Sequence, residues 1–491
     1  PPLFLIIGPP PSSTLFPSTT LFRSAEEPDY PNLWFDGYER SRKVWGFYNA
    51  LDNLATAQAY GLIRLSMERV SHCFSIGPRQ RDELYPIFER WFGIPKPTGK
   101  DLEILQDSGL SVNPEREAAR LQEAQRRRPH ADLLSIPPAA SVALDRRGMH
   151  RIAQEMGQAY LRAARAKLEA LAPAERAGQL RKELRAVLGD IEPAASARGE
   201  VLWRRSLRGA EVEALSLPVE DGIDVPLLVL RPAGSRRVPA VVAVAQGGKA
   251  RFLASRASDI EALLASGIAV CLPDVRGAGE TSPGDAAGDN GAVERLARME
   301  FDLARSLLGS RLKDLRTVLA YLRTRPDLDG GRLALWGDSF APSNPENLYL
   351  DEIEFESGPQ VQHRADPAGA HLALLGALYE PEVRAVAARG GLGGYLSVLD
   401  DAFNYVPMDA ILLGVLKSGD LADIAGALAP RPVALDGLVN GRNISPGEAA
   451  LKSALEPAFR AYAGANASAR LSLSRAHREI GPWLAAALMA R

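Results

Sequence analysis

The sequence predicts a doubly wound α/β domain over residues 196–491, preceded by a helical linker and by a shorter strand-and-helix unit. Three observations predict it. From about residue 196, short apolar runs alternate with amphipathic helical stretches, the order that builds a mainly parallel sheet covered on both faces. Two of those runs, "VPAVVAVAQGG" and "IAVCLPDVRG", are almost continuously apolar and end in glycine, as strands buried on both faces do. The chain is 46% hydrophobic, a globular composition, and its 491 residues exceed the ~100–200 of one ordinary domain.

In chain order, "EVEALSLPVEDGIDVPLLVLRPA" reads as two strands joined at the turn signal Glu220-Asp221-Gly222. After the strand "VPAVVAVAQGG", "RASDIEALLASG" is an amphipathic helix stopped by Gly267, and "IAVCLPDVRG" is the next strand. "RSLLGSRLKDLRTVLAYLRTRP" is a long helix leading into "GRLALWGDS", a strand that ends at Ser339. "VRAVAARGG", "RPVALDGLV" and "ARLSLSRAH" are later strands, and "EIGPWLAAALMAR" is the last helix.

Upstream of this domain the composition changes twice. Residues 101–195 are rich in Ala, Arg, Glu and Leu with apolar residues at helical spacing and read as a helical linker. Arg126-Arg127-Arg128, flanked by Glu and Pro, reads there as a solvated helix end rather than a nucleic-acid patch. Within residues 30–100, "AYGLIRLSMERVSHCFSIGPRQRDELYPIFERWFGI" reads as strand, Ser71-His72, then a helix with Trp91. "ASARLSLSRAHREIGPWLAAALMA" repeats that order with His477 and Trp483, so residues 30–100 are expected to be the remnant of an upstream module like the last one. Residues 1–29 are expected to be a non-native or disordered leader: they lack a basic n-region and a cleavage site, and "TLFPSTTLFRS" resembles a translated sequencing-library adapter. Compartment is therefore not read from this end, and export of the intact protein stays open.

Composition narrows the partners. A formal net charge of −2 gives no global field toward nucleic acid or an anionic membrane. No apolar run approaches the ~18–20 residues of a membrane span. The two cysteines, Cys73 and Cys271, fit neither a disulfide framework nor a zinc site, and no Walker loop or dinucleotide fingerprint occurs. No metal and no cofactor are expected. A small or neutral molecule is the expected partner, with the oligomeric state open.

The chemistry centres on "LALWGDSFAPSNP". A serine hydroxyl attacks a carbonyl only when a base takes its proton, a third group orients the base, and N–H donors hold the oxyanion. In a nucleophile elbow the chain order is serine, acid, histidine, with one oxyanion donor following the serine and another in the loop after the third strand. Ser339 follows a strand, His477 follows the last strand, and "AQGGKA" follows the third. The motif departs from Gly-x-Ser-x-Gly at Ala341, and Pro342 stands where a helix should begin. The polar stretch "PSNPENLYLDEIEFESGPQVQHRAD" is read as an insertion over 342–366, a lid or substrate wall, before the postponed helix "PAGAHLALLGALYEPEVRAV". His371 on that helix is expected to be structural, whereas His363 could touch substrate; His130 and His150 carry no evident chemistry.

Together "VVAVAQGGK", "LPDVRGAGET", "GRLALWGDSFA", "LAPRPVAL" and the late His477 make residues 196–491 similar to an α/β-hydrolase-fold serine esterase of the bacterial acetyl xylan esterase-like kind. The resemblance implies hydrolysis of acetyl or other short acyl esters, small-molecule or plant-polysaccharide linked, through an acyl-enzyme on Ser339 with His477 as base. It also makes His72 the counterpart of His477. It places the oxyanion donors at Gly247 and Phe340, and the acid beyond "RPVALDGLV", near Asn440. Asparagine orients an imidazole without stabilising its charge, so Asp436 is the nearest replacement, with Asp400 and Asp401 as further possibilities. Arg276 either braces its loop or pairs on the surface. A peptidase or glucuronoyl esterase on the same fold, and a catalytically impaired truncated scaffold, stay open.

Overall fold

The computed structural model describes residues 30–55, 78–96, 147–195, 198–207, 209–283, 290–346, 363–476 and 478–490. The chain divides into two compact units, Pro1–Arg146 and Arg147–Arg491. The described part of the first holds helices α1 (Tyr30–Phe47) and α2 (Pro78–Phe92), with Leu84 buried against Ile87 and Phe88. The strand expected near Ser71 and His72, the leader, and the linker up to Arg146 lie outside the described residues.

The second unit is built on one nine-stranded sheet, in the order β1-β2-β3-β5-β4-β6-β7-β8-β9. Its strands are β1 (Glu200–Leu207), β2 (Ala210–Glu220), β3 (Ile223–Pro232), β4 (Val238–Ala245), β5 (Ala269–Pro273), β6 (Leu328–Asp338), β7 (Val383–Arg389), β8 (Val433–Asp436) and β9 (Leu471–Ser474). β1, β2 and β3 pair antiparallel, β3 joins β5 antiparallel, and every pairing from β5 through β9 is parallel. All eight residues of β4 are buried, as its unbroken apolar sequence requires of a strand covered on both sides.

Two apolar layers enclose the sheet, and the alternation of side chains along each strand assigns residues to them. On β6, Leu333 and Leu335 enter the first layer, Ala334 and Trp336 the second. The first layer includes α3 (Met149–Glu169), α4 (Pro173–Leu188), α8 (Leu307–Thr324), α9 (Ala368–Tyr379) and α10 (Leu421–Gly426). The second includes α5 (Gly248–Ser255), α6 (Ala257–Ala265) and α13 (Ile480–Met489). Between them in sequence come α7 (Asn290–Asp302), α11 (Glu448–Ala454) and α12 (Glu456–Gly464).

The domain boundary differs from the one expected at residue 195. α3 and α4, read as linker, are part of the second unit: Leu161 and Leu168, and Leu180, Leu184 and Leu188, are buried in the same layer as β2, β4 and β6. Their spacing of seven residues on α3 and four on α4 gives each helix an apolar stripe, while most of the Arg and Glu that dominate the composition stay on the wet face. Composition reports the wet face, and the stripe is what attaches the helices.

β4 is the first strand of the parallel array, with β5 on one side and β6 on the other. In open α/β sheets such a reversal leaves a crevice beyond the carboxyl ends of the two strands, and ligands bind there. The loops after β4 and β6 are the ones carrying Gly247 and Ser339. Cys271, in β5, is fully buried, and burial pushes its thiol up to about 12. Among the described residues no helix is long and apolar enough to cross a membrane.

Candidate active site

The strand-to-helix turn at Ser339 is split. Ser339 does not take the left-handed backbone of a sharp elbow; the chain runs on without a helix from Ser339 to Asn344, which pairs with Ile444 in the loop after β8. Helix α9 starts only at Ala368, yet it returns to the end of β6. A Cβ on Gly337 would fall 2.0 Å from the carbonyl oxygen of Gly369, and one on Gly369 would fall 2.5 Å from that of Asp338. The close approach that small residues permit in Gly-x-Ser-x-Gly is thus made by Gly337 and Gly369, across the insertion. Ala341, expected at that contact, instead lines a cavity wall.

Two buried asparagines fasten the described ends of the insertion. Asn344 Nδ2 donates to the carbonyls of His363 (2.9 Å) and Arg442 (2.9 Å), and its Oδ1 accepts the His363 N–H (2.8 Å). Asn443 Nδ2 donates to the carbonyls of Pro342 (2.9 Å) and His363 (3.0 Å) from a left-handed backbone at φ 56°. Asn443→Ala is expected to cost about 2–4 kcal/mol, combining two lost hydrogen bonds with an alanine forced into the left-handed region. The midpoint of denaturant unfolding at constant slope checks this, with Asn443→Gly recovering only the backbone share. Unchanged midpoints in both variants would mean the ends are held elsewhere.

On the β4 side, Asp274 shapes the loop that carries Gly247. Its carboxylate accepts the N–H groups of Lys249 (2.6 Å) and Glu280 (2.9 Å) and pairs with Lys249 Nζ (2.6 Å). Gly248 has φ 73°, and a Cβ there would meet Gly279 Cα at 2.4 Å, so glycine is required. Arg276 braces the neighbouring segment by pairing with Asp314 (2.6 Å) and Glu220 (3.0 Å). A cavity of about 580 Å³ lies here, lined by Gln246, Gly247, Arg251, Ala341, Asp366 and Asp409 among others. The Phe340 N–H, an expected oxyanion donor, is not open to solvent: it donates to Asp366 Oδ2 at 3.1 Å. The Phe340 ring packs edge-on against Phe252, with Arg256 stacked on it at 5.0 Å.

On the other side of Ala341 and Pro342, which line both, a second cavity of about 270 Å³ holds Ser339 with Gly390, Gly437, Asn443, Ser445 and Arg475. Ser339 is 8% exposed, and its Oγ accepts the Ala341 N–H at 3.3 Å. Gly390, at φ 68°, fits against it so closely that a Cβ would fall 2.9 Å from the Oγ.

Behind this cavity runs a row of charge at the ends of adjacent strands. Asp338, Arg389 and Asp436 close β6, β7 and β8, with Arg389 directly opposite Asp436. Counting by twos along each strand puts all three on the face of Trp336, Ala387 and Ala434. Arg256 caps one end through Asp338 (2.8 Å), and Arg478 the other through Asp436 (2.8 Å). Arg389 Nη1 lies 3.7 Å from Asp338. Burial pushes the Asp436 carboxyl up against the opposing pull of Arg478, and burial likewise lowers Arg389.

The expected residues therefore divide. Ser339 lines the smaller cavity, and Gly247 the larger. Asp436 is held by Arg478, and the Asn440 oxygen accepts the N–H groups of Arg442 (2.9 Å) and Ile444 (3.0 Å), organising its own loop. Asp400 accepts from Gln154 and Asp401 pairs with Arg442; neither lines the Ser339 cavity. His371 is fully buried against Tyr395 and driven down to about 4 by burial, and His363 lines the larger cavity. His477 lies outside the described residues; Arg475, two positions earlier, lines the Ser339 cavity, and Arg478, one later, holds Asp436. Sequence reasoning missed Asp366, Asn344, Asn443, Arg256 and Arg389. The only signal for Asp366 was an acidic residue just before Pro367 at the start of an apolar helix.

No family model matches the chain, and no curated protein does. Solved structures do superpose on it. A candidate acetyl xylan esterase from Bacteroides fragilis is 17% identical, covering 63% of this chain and 77% of that one at TM-score 0.48. Methylesterase BT1017 is 18% identical over 68% of each chain at TM-score 0.46. The glucuronoyl esterase from Solibacter usitatus is 12% identical over 63% of this chain and 92% of that one at TM-score 0.41.

Proposed function

We propose that the second unit is a serine hydrolase of carboxylic esters on an α/β-hydrolase scaffold, and that Ser339 is its nucleophile. The observation that carries this reading is the position of Ser339: it directly follows β6 beside the topological switch, lines a cavity, and adjoins loops that follow β7, β8 and β9. In this reading the Ser339 Oγ attacks the ester carbonyl carbon while His477 takes its proton. The tetrahedral intermediate collapses with cleavage of the C–O bond, the alcohol leaves with that proton, and water repeats the sequence on the acyl-enzyme. Asp436 is the carboxylate nearest in the chain order to the acid's role, and Gly247 supplies the oxyanion side together with the Phe340 N–H once that group is released from Asp366. A cavity of about 270 Å³, small beside the ~300–1,000 Å³ of drug-sized sites, suits a short acyl group such as acetyl, with a carbohydrate as the alcohol.

A second reading, a catalytically impaired scaffold, is favoured by two contacts: Asp366 on the Phe340 N–H and the Arg478 clamp on Asp436. A serine-reactive fluorophosphonate separates the two. Labelling of the folded protein that maps to Ser339 and disappears in Ser339→Ala is the expected result. A folded protein that takes no label would leave only the scaffold.

A further inference from the structure

The cavity that holds Ser339 has a floor and a rim. Ser339, Gly390, Val439 and Asn443 are buried, whereas Pro342, Ser343 and Arg475 are exposed at its mouth. Among the described residues Arg475 is the one charged side chain on this cavity, and no carboxylate lines it. Its guanidinium has no hydrogen bond and no ion pair among those residues. Arg256, Arg389 and Arg478, behind the floor, each lie within ion-pair distance of Asp338 or Asp436. Glu448, a carboxylate that feels the Arg475 charge, is already taken by Lys452 at 2.6 Å. The positive charge at the mouth is therefore uncommitted, and an anion arriving there meets no negative group on the wall of the cavity.

Resting on the reading of Ser339 as nucleophile, we infer that Arg475 selects esters whose alcohol half carries a carboxylate, on a carbohydrate a uronic acid residue that bears the acyl group. The base that takes the serine proton returns it to the leaving alcohol oxygen, so the alcohol departs past the loop that carries the base. In this reading the base is His477, two positions beyond Arg475 on the stretch that follows β9. The short acyl group then occupies the floor beside Ser339, and the alcohol extends over the rim where Arg475 stands. One guanidinium balances one negative charge, and its fork of N–H groups matches the two oxygens of a carboxylate. Arg475 acts on a part of the substrate that does not react, so it holds ground state and transition state alike and its effect falls on KM.

Methyl glucuronoside and methyl glucoside, each acetylated at the same ring hydroxyl, present one ester on alcohols that differ by the carboxylate. Wild type is expected to favour the uronoside about tenfold in kcat/KM at low salt, mainly through KM, the scale of a charge-assisted hydrogen bond. Arg475→Gln should bring that ratio to about one, Arg475→Glu should take it below one, and Arg475→Lys should keep part of it. Added salt should narrow the wild-type ratio and leave that of Arg475→Gln unmoved. Exposed and without a hydrogen bond, Arg475 is replaceable at little cost to the fold, and the Tm of each variant should match wild type. A wild-type ratio of one or less, or an Arg475→Gln ratio equal to that of wild type, would overturn the assignment. So would a preference for p-nitrophenyl hemisuccinate over p-nitrophenyl butyrate that vanishes in Arg475→Gln, because it would put the recognised charge in the acyl half.

A second readout needs no turnover. Methyl glucuronoside without an acyl group is expected to slow fluorophosphonate labelling of Ser339 in wild type more than methyl glucoside does, and to lose that advantage in Arg475→Gln. Equal protection by the two sugars would show that the carboxylate is not recognised, and the assignment falls. The same preparations distinguish the two failures. Label at Ser339 with no dependence on the carboxylate overturns Arg475 alone, and absence of label with absence of turnover overturns both.

Discussion

Ser339→Ala is expected to lower kcat/KM for p-nitrophenyl acetate by about 10⁴-fold or more, about 5.5 kcal/mol of transition-state stabilisation. The size follows from the acyl-enzyme route, because without the Oγ no covalent intermediate forms and only water attacking a bound ester is left. The substitution should cost little in folding. Ser339 Oγ accepts one N–H, from Ala341, and faces a cavity, so its removal leaves no tightly packed void. Folding and activity therefore separate cleanly: an unchanged Tm with activity at the level of the uncatalysed reaction is the outcome that fits. A variant retaining more than about a tenth of the wild-type rate would move the nucleophile elsewhere and remove the main support for the ester-hydrolase reading.

Much of the sheet was readable because most of the parallel strands announce themselves twice, by an unbroken apolar run and by a glycine soon after it; β9, "LSLS", does neither. "VPAVVAVAQGG" became β4 and its loop, and "GRLALWGDS" became β6, on either side of the switch. The postponed helix was also readable, since "AGAHLALLGALY" has no polar face and must be buried all round, as α9 is. What could not be read was which residue would meet which across long separations. Gly369 stands 32 positions beyond Gly337 in the sequence, and nothing local says that it supplies the small residue missing at Ala341. Asp366 looked like the end of a polar insertion because nothing local says that it meets the Phe340 N–H, 26 positions earlier. Asp436 was sought as an orienter of His477, which lies outside the described residues; strand alternation places Asp436 on the Trp336 face opposite Arg389, a position that counting by twos along "RPVALD" and "VRAVAAR" exposes.

Asp338→Ala is expected to destabilise the second unit by about 3–5 kcal/mol, the cost of leaving a buried charge uncompensated. Asp338 is fully buried and accepts Arg256 Nε at 2.8 Å and Nη2 at 3.0 Å, as well as the Ser339 N–H at 2.8 Å. Although burial opposes the Arg256 charge, its pairing with Asp338 outweighs this and holds the guanidinium above its ordinary range. Removing the carboxylate leaves three arginines, Arg256, Arg389 and Arg478, at the ends of β6, β7 and β8, with Asp436 and the more remote Asp259 as their carboxylates. Arg389 suffers most, since it is 3% exposed and its Nε already lacks a partner among the described residues. The row should therefore behave as a unit. Arg389→Met in the Asp338→Ala background is expected to restore at least about 1 kcal/mol relative to the sum of the two single losses, because it withdraws the charge that the first substitution stranded. Denaturant unfolding of the four proteins of that cycle measures the coupling. Strict additivity would show that Arg389 finds its compensation in Asp436 and the Arg478 carbonyl, and that Asp338 serves Arg256 and the Ser339 backbone alone.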